Sequence, residues 1–261
     1  MTGVAEWNNN IYVAVRDSNK LRVFGSLLFN RRNNLVVKEM KFPWDLAADL
    51  THLYIADSVG HCVWILEVKG EEDSDDKEKI KVDKWVFEGR PLSLSVTEAG
   101  QLLVVGWLND VLTICSGEGE KLEVIKLKDK GLPHTRHVIQ TSPETFLVAH
   151  RDLVSLVDRK WNTLKQYGDQ AAPLQLSFPD HLAEVSAAGH KFVLDKERVL
   201  VFSPRFELQR TLVLRLSLPE DPWISWRRPR LCYSSGRLIV SWGAEYVWVY
   251  SVVSATPTSI N

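Results

Sequence analysis

The chain has 261 residues and a formal charge of −1, long enough for a sizeable core and too nearly neutral for bulk attraction to polyanions. Its three cysteines, with gaps of 53 and 117 residues and no CxxC, argue against a disulfide framework or a Cys-based zinc site. No signal peptide opens it and no apolar run is long enough to span a membrane, so a reduced, cytoplasmic compartment is expected.

The first predicted strands are IYVAV (11–15), LRVF (21–24) and LVVKEM (35–40). Each is rich in β-branched or aromatic residues and bounded by turn residues. The next group begins at Pro43 with DLAAD (45–49), then LYIAD (53–57), VWIL (63–66) and KWVF (84–87). Inside this group lies an acidic run, GEEDSDDKEK (70–79), read as a solvated loop. The pattern returns after Pro91 with LLVVG (102–106), VLTI (111–114) and LEVIKL (122–127). After Pro133 it reads TFLVA (145–149), LVSLV (153–157) and LKQY (164–167). After Pro179 it reads KFVLD (191–195), RVLVF (198–202) and LQRTLVL (208–214). After Pro229 come RLIVS (237–241) and VWVY (247–250), and then only a short polar tail containing Pro257. Proline suits the first residue of a strand and spoils a ladder further in.

The second strands align on Tyr12, Tyr54, Leu103, Phe146, Phe192 and Leu238, with spacings of 42, 49, 43, 46 and 46. The longest spacing holds the acidic run, as an inserted loop requires. Four strands per unit at a period in the forties signals propeller blades. The fold class is therefore all-β: a six-bladed β-propeller with four-stranded blades and a three-stranded last blade. One domain, 1–261, is expected, monomeric, with blades near 3–40, 43–87, 90–127, 132–167, 174–214 and 226–252. Side-chain packing between blades 1 and 6 is expected to close the ring.

The units 11–24, 43–66 and 190–202 resemble the NHL repeat, which reads as proline, an apolar strand, "IYVAD", a polar turn and "RIQVF". Over the whole chain the resemblance is nearest to the C-terminal propellers of tripartite-motif proteins and their invertebrate relatives. It implies substrate recognition in a ubiquitin-ligase setting. The RING finger, B-box and coiled coil of those proteins are not in this sequence, so ligase activity does not carry over. The motif aspartate matches Asp57, Asp195 and Asp17, and the resemblance implies a framework role for it. Aspartate at a turn accepts backbone N–H bonds readily.

No P-loop, HExxH or GxSxG occurs, and no catalytic residue, metal or cofactor is assigned. His134 and His137, three apart on an extended segment, face opposite ways and suit a shared zinc poorly. The starts of the inner strands offer Glu6, Asp45, Arg90, Arg136, His181 and Arg230, a set too cationic to cage calcium. That same set predicts a cationic rim. Arg90, Arg136, His137, His181, Arg227, Arg228 and Arg230 fall in loops leading into the first strands, with Trp44, Trp226 and Trp242 nearby. Arginine mixed with tryptophan suits an acidic peptide, or single-stranded RNA through charge and stacking. The expected function is a non-enzymatic protein-interaction propeller. Single-stranded RNA binding and a metal-dependent hydrolase or lyase at the channel mouth are the alternatives.

Overall fold

The structure is a computed structural model that describes residues 3–69, 79–107, 110–169, 172–185, 188–214, 229–242 and 246–251. Six antiparallel sheets follow one another along the chain, each taking its strands in sequence order. The first five are four-stranded, and the sixth has three strands among the described residues. Their first strands are Val4–Trp7, Pro43–Ala48, Pro91–Val96, Thr135–Ser142, Pro179–Val185 and Arg230–Ser234. Each touches the first strand of the next sheet, and the last touches the first again. That closed cycle defines a six-bladed propeller with these strands innermost around the axis.

The second strands are buried along almost their whole length because a blade stacks on either face of them. Asn10–Ala14 and Leu102–Gly106 are buried at every position. A strand buried on both faces reads as a continuous apolar run, whereas one with a solvated face alternates. The outer strands show the opposite limit: Lys121–Lys126 is exposed at all but Ile125.

Two strand ends differ from the sequence reading. The fourth strand of blade 1 is only Leu35–Val36. The N–H of Met40 turns back onto Val37 O, and Val37 and Met40 bury their side chains in the core between blades 1 and 2. In blade 2 the fourth strand runs from Lys79 to Val86, so Lys79 belongs to the strand. The rest of the acidic run, 70–78, lies outside the described residues. A 3-10 turn at Leu127–Lys130 is the only helical element among the described residues, and no described helix is long and apolar enough to cross a membrane.

Blades 1 and 6 close the ring through side chains. Val4, Ile11, Val13 and Ile239 form one buried cluster, flanked by Cys232, Val247 and Val249. Arg237 of blade 6 adds a bond from Nη2 to Glu6 Oε1 of blade 1 at 3.0 Å and donates to Ser26 O. The strand Tyr246–Ser251 is the edge of the sixth sheet among the described residues. Its amides that point away from Arg237–Trp242 are expected to exchange with deuterium within seconds to minutes. Those of Arg237–Trp242, paired on both sides, should be protected far longer. Equal protection of the two strands would show a further strand on that edge.

Candidate functional site

The framework aspartates shape the face formed by the leading loops. Asp57 ends the second strand of blade 2 and accepts the N–H groups of Lys41 at 2.8 Å, Phe42 at 2.9 Å and Gly60 at 2.8 Å. It also accepts Trp64 Nε1 at 3.2 Å. One carboxylate thereby ties the loop into blade 2 to the turn after its second strand. Gly60 is required at that turn, because a Cβ there would lie 2.4 Å from Asp57 Oδ2. Asp195 repeats the device in blade 5, accepting Ser177 N at 3.0 Å and Phe178 N at 2.5 Å, with Arg198 on its other side. Asp17 departs from the framework role implied for it. It is exposed at positive φ beside Arg16, because Val15 holds the place that Asp57 holds in blade 2 and Asp17 falls further along the turn.

With its loop held, Phe42 stacks on Trp44 at 5.5 Å between centroids, and Trp44 meets Trp107 edge-on at 5.3 Å. All three are half-buried. The Arg16 guanidinium covers Phe42 at 4.9 Å, and the backbone N–H of Trp107 bonds the carbonyl of Arg90 at 2.7 Å; the Arg90 residue is exposed. Arg136 lies apart, over the Phe178 ring at 3.4 Å, donating to the carbonyls of Arg151 and Pro179.

Three residues expected on the rim are not there. His137, His181 and Arg230 are 1%, 4% and 4% exposed and point to the axis. They meet Asp45, which is wholly buried. His181 Nε2 lies 3.3 Å and His137 Nε2 3.9 Å from Asp45 Oδ2. Blades 2 and 5 are diametrically opposed, so this contact crosses the axis and plugs the channel. The two imidazoles stack at 3.9 Å between centroids. Leu94 N donates to Asp45 Oδ2 at 3.0 Å, and His137 Nε2 donates to Leu94 O at 3.2 Å. Arg230 pairs with buried Asp180. The physical reason for the misplacement is the pleat: these side chains fall on the axial side of an inner strand, and solvated loops do not hold them.

Charge in the plug is divided by its neighbours. Burial pushes the Asp45 carboxyl up, but His181, Arg230 and His137 together hold it below the ordinary carboxylate range. Burial, reinforced by His181 and Arg230, takes His137 well below the usual imidazole value, so it is neutral. Burial opposes the charge on Arg230, and Asp180 and Asp45 outweigh that and keep it cationic.

Below the plug the channel widens. A cavity of about 260 Å³, lined by His137, His181, Leu46, Leu94 and Leu231 among others, runs down the axis. It shares Glu6, Gln140 and Glu184 with a mouth of about 700 Å³ on the opposite face, where Asp49 and Glu98 also lie. Glu6, expected with the rim, therefore stands at the other end of the channel. His134 is exposed and separate from His137. Arg227, Arg228 and Trp226 lie outside the described residues, as does the side chain of Trp242.

This fold has a clear structural counterpart. The β-propeller domain of Cps50 (Swd1) from Myceliophteria thermophila superposes with a TM-score of 0.55 at 11% identity, covering 97% of each chain. No family model matches the sequence, and no curated protein matches it. The likeness is one of fold, and the NHL resemblance has no family match behind it.

Proposed function

We propose that the chain is a non-enzymatic protein-interaction propeller that binds an acidic, partly apolar peptide across its leading-loop face. The observation that carries this is the run Arg16, Phe42, Trp44, Trp107 and Arg90. It is a row of half-buried aromatic side chains with the Arg16 guanidinium over one end and exposed Arg90 joined through its backbone to Trp107 at the other. Tryptophan and arginine dominate the energetics of protein interfaces because they combine large rigid area with directed hydrogen bonds. The rings are already stacked and the loop beneath them is held by Asp57, so little ordering is required on binding. The tripartite-motif resemblance agrees with this reading and makes a substrate-recognition role the finer form of it. A binding role is favoured over a catalytic one because the converging titratable groups are buried and engaged with one another, beneath the face a partner would touch.

The test uses fluorescein-labelled peptides rich in Asp, Glu and Leu, beside a labelled U-rich single strand of RNA. The acidic peptides are expected to bind, and Trp107→Ala, with a fall in melting temperature of a few degrees at most, or the pair Arg16→Glu with Arg90→Glu, with no change in it, should weaken binding at least tenfold. RNA binding that falls steeply between 50 and 200 mM salt, with no peptide binding, would replace this reading by the stacking of single-stranded bases. Unchanged peptide binding by both variants would remove this face from consideration.

A further inference from the structure

We infer that Asp45, His137 and His181 form a binding site for one divalent transition-metal ion, zinc by its donor set, on the propeller axis. One donor atom from each of the three lies within 4.8 Å of the others. Four-coordinate zinc with ligand bonds of 2.0–2.2 Å sets its donors about 3.3 Å apart. His181 Nε2 and Asp45 Oδ2 stand at 3.3 Å, and His137 Nε2 at 3.9 Å from the same oxygen, and every pair lies within 4.8 Å, so the donors must close by up to about 1.5 Å to meet the ion. Two imidazoles with one carboxylate suit zinc, and calcium or magnesium would demand oxygen donors throughout.

A second observation points the same way. A carbonyl or carboxylate oxygen can only accept, so His137 and His181 each donate from Nε2, to Leu94 O and to Asp45 Oδ2. A neutral imidazole then carries a lone pair on its other nitrogen. Both Nδ1 atoms are buried with no hydrogen-bond partner, as is Ser93 Oγ on the inner strand of blade 3. Buried polar atoms are ordinarily paired. For Nε2 to ligate, the proton of each ring must sit on Nδ1 instead, and no hydrogen bond at Nδ1 holds either tautomer in place.

Access and charge are compatible with a cation. The cavity lined by His137 and His181 opens into a mouth that carries Glu6, Asp49, Glu98 and Glu184. Glu6 and Glu184 are paired with Arg237 and Lys191, and Asp49 is engaged by His52, Thr51 and Tyr54; with Glu98 these carboxylates give the mouth an acidic lining that favours cation entry. Arg230 opposes the ion, and its partner Asp180 offsets that charge. With three protein donors, the fourth position falls to a water from the channel. The ligands come from blades 2, 4 and 5, so the ion would join blade 2 across the axis to the adjacent pair formed by blades 4 and 5.

The full chain, purified without chelator and dialysed, is expected to retain close to one zinc per molecule by elemental analysis. After chelation, zinc or cobalt but not magnesium should raise the melting temperature by about 5 °C, and cobalt should give a visible d–d spectrum. Both responses should vanish in the His137→Gln, His181→Gln double variant. X-ray absorption on the zinc-loaded natural chain should count two imidazole ligands, a readout that stands even where the double variant fails to fold. Absence of retained zinc and of any thermal shift would overturn the site. So would undiminished binding by a folded double variant, or fewer than two imidazoles per zinc.

Discussion

Arg230→Glu is expected to remove most of the stability of this propeller. Its guanidinium is buried against Asp180 and held charged there by Asp180 and Asp45. Removing one partner of a buried ion pair costs roughly 3–5 kcal/mol, because the other charge is left unsolvated. A glutamate here adds repulsion from Asp180 and Asp45. Against a total stability of about 5–15 kcal/mol, the variant should unfold at much lower urea or be recovered as aggregate. Arg230→Met with Asp180→Leu removes both charges and fills the space, and should recover most of the loss. Equilibrium urea melts of the three proteins measure this. A midpoint for Arg230→Glu within about 1 kcal/mol of the natural chain would mean that the pair carries no structural weight. The sequence reading puts Arg230 on the cationic rim with Arg90, Arg136, Arg227 and Arg228. Its burial takes it out of that set.

The contrast between Arg230 and the blades shows what is legible in the sequence. Blade number and phase can be read because each second strand is buried on both faces and so appears as an uninterrupted apolar run, such as LYIAD or LLVVG. A proline at or just before five of the six first strands marks where each unit begins. After its first strand the sixth unit supplies only RLIVS and VWVY as clear strand patterns, and three strands are what the sixth blade has among the described residues. The axial cluster is harder, since its members sit one per blade and 44 or more positions apart, and only the ring brings them together. A signal does exist. Asp45, Ser93 and His181 each stand two residues after the leading proline, Arg230 one after and His137 four after. Polar residues recurring at the same depth of inner strands belong to one layer around the axis. Reading His137 only against its sequence neighbour His134 concealed its true partner, His181. Trp107 was missed for a similar reason: it lies in the turn after a second strand, the loop class of Arg16 and Arg151, and its contact with Trp44 crosses between blades.

Acid should destabilise the protein well before its carboxylates titrate. His150 is buried, with Nε2 bonded to Ser155 Oγ at 2.8 Å. Burial first, then the charges of Arg151 and Arg136, hold its pKa at about 4 against 6.5 in a solvated imidazole. The folded state thus binds fewer protons than the unfolded chain between those values. A depressed imidazole pKa contributes stability that is fully present above 6.5 and lost as pH falls towards 4. The slope is about 1.4 kcal/mol per pH unit, or about 3 kcal/mol across the window. His137, also held neutral, adds a loss of the same sign. Asp49 and Asp158 have lowered pKa values, so they take up protons only below the ordinary carboxylate range, while Glu184, raised by burial, takes one up above it and offsets part of the loss. Urea melts at pH 7.5, 5.5 and 4.5, run with chelator so that no bound metal contributes, should show stability falling steadily. His150→Gln keeps a polar group opposite Ser155 and removes the titration, so its melts should lose less between pH 7.5 and 4.5 by roughly 2–3 kcal/mol. The size of that difference separates this histidine from the axial pair. If the natural chain and the variant fall in parallel, His150 is protonated in the fold as readily as in water, and the positive charges of Arg136 and Arg151 do not reach it.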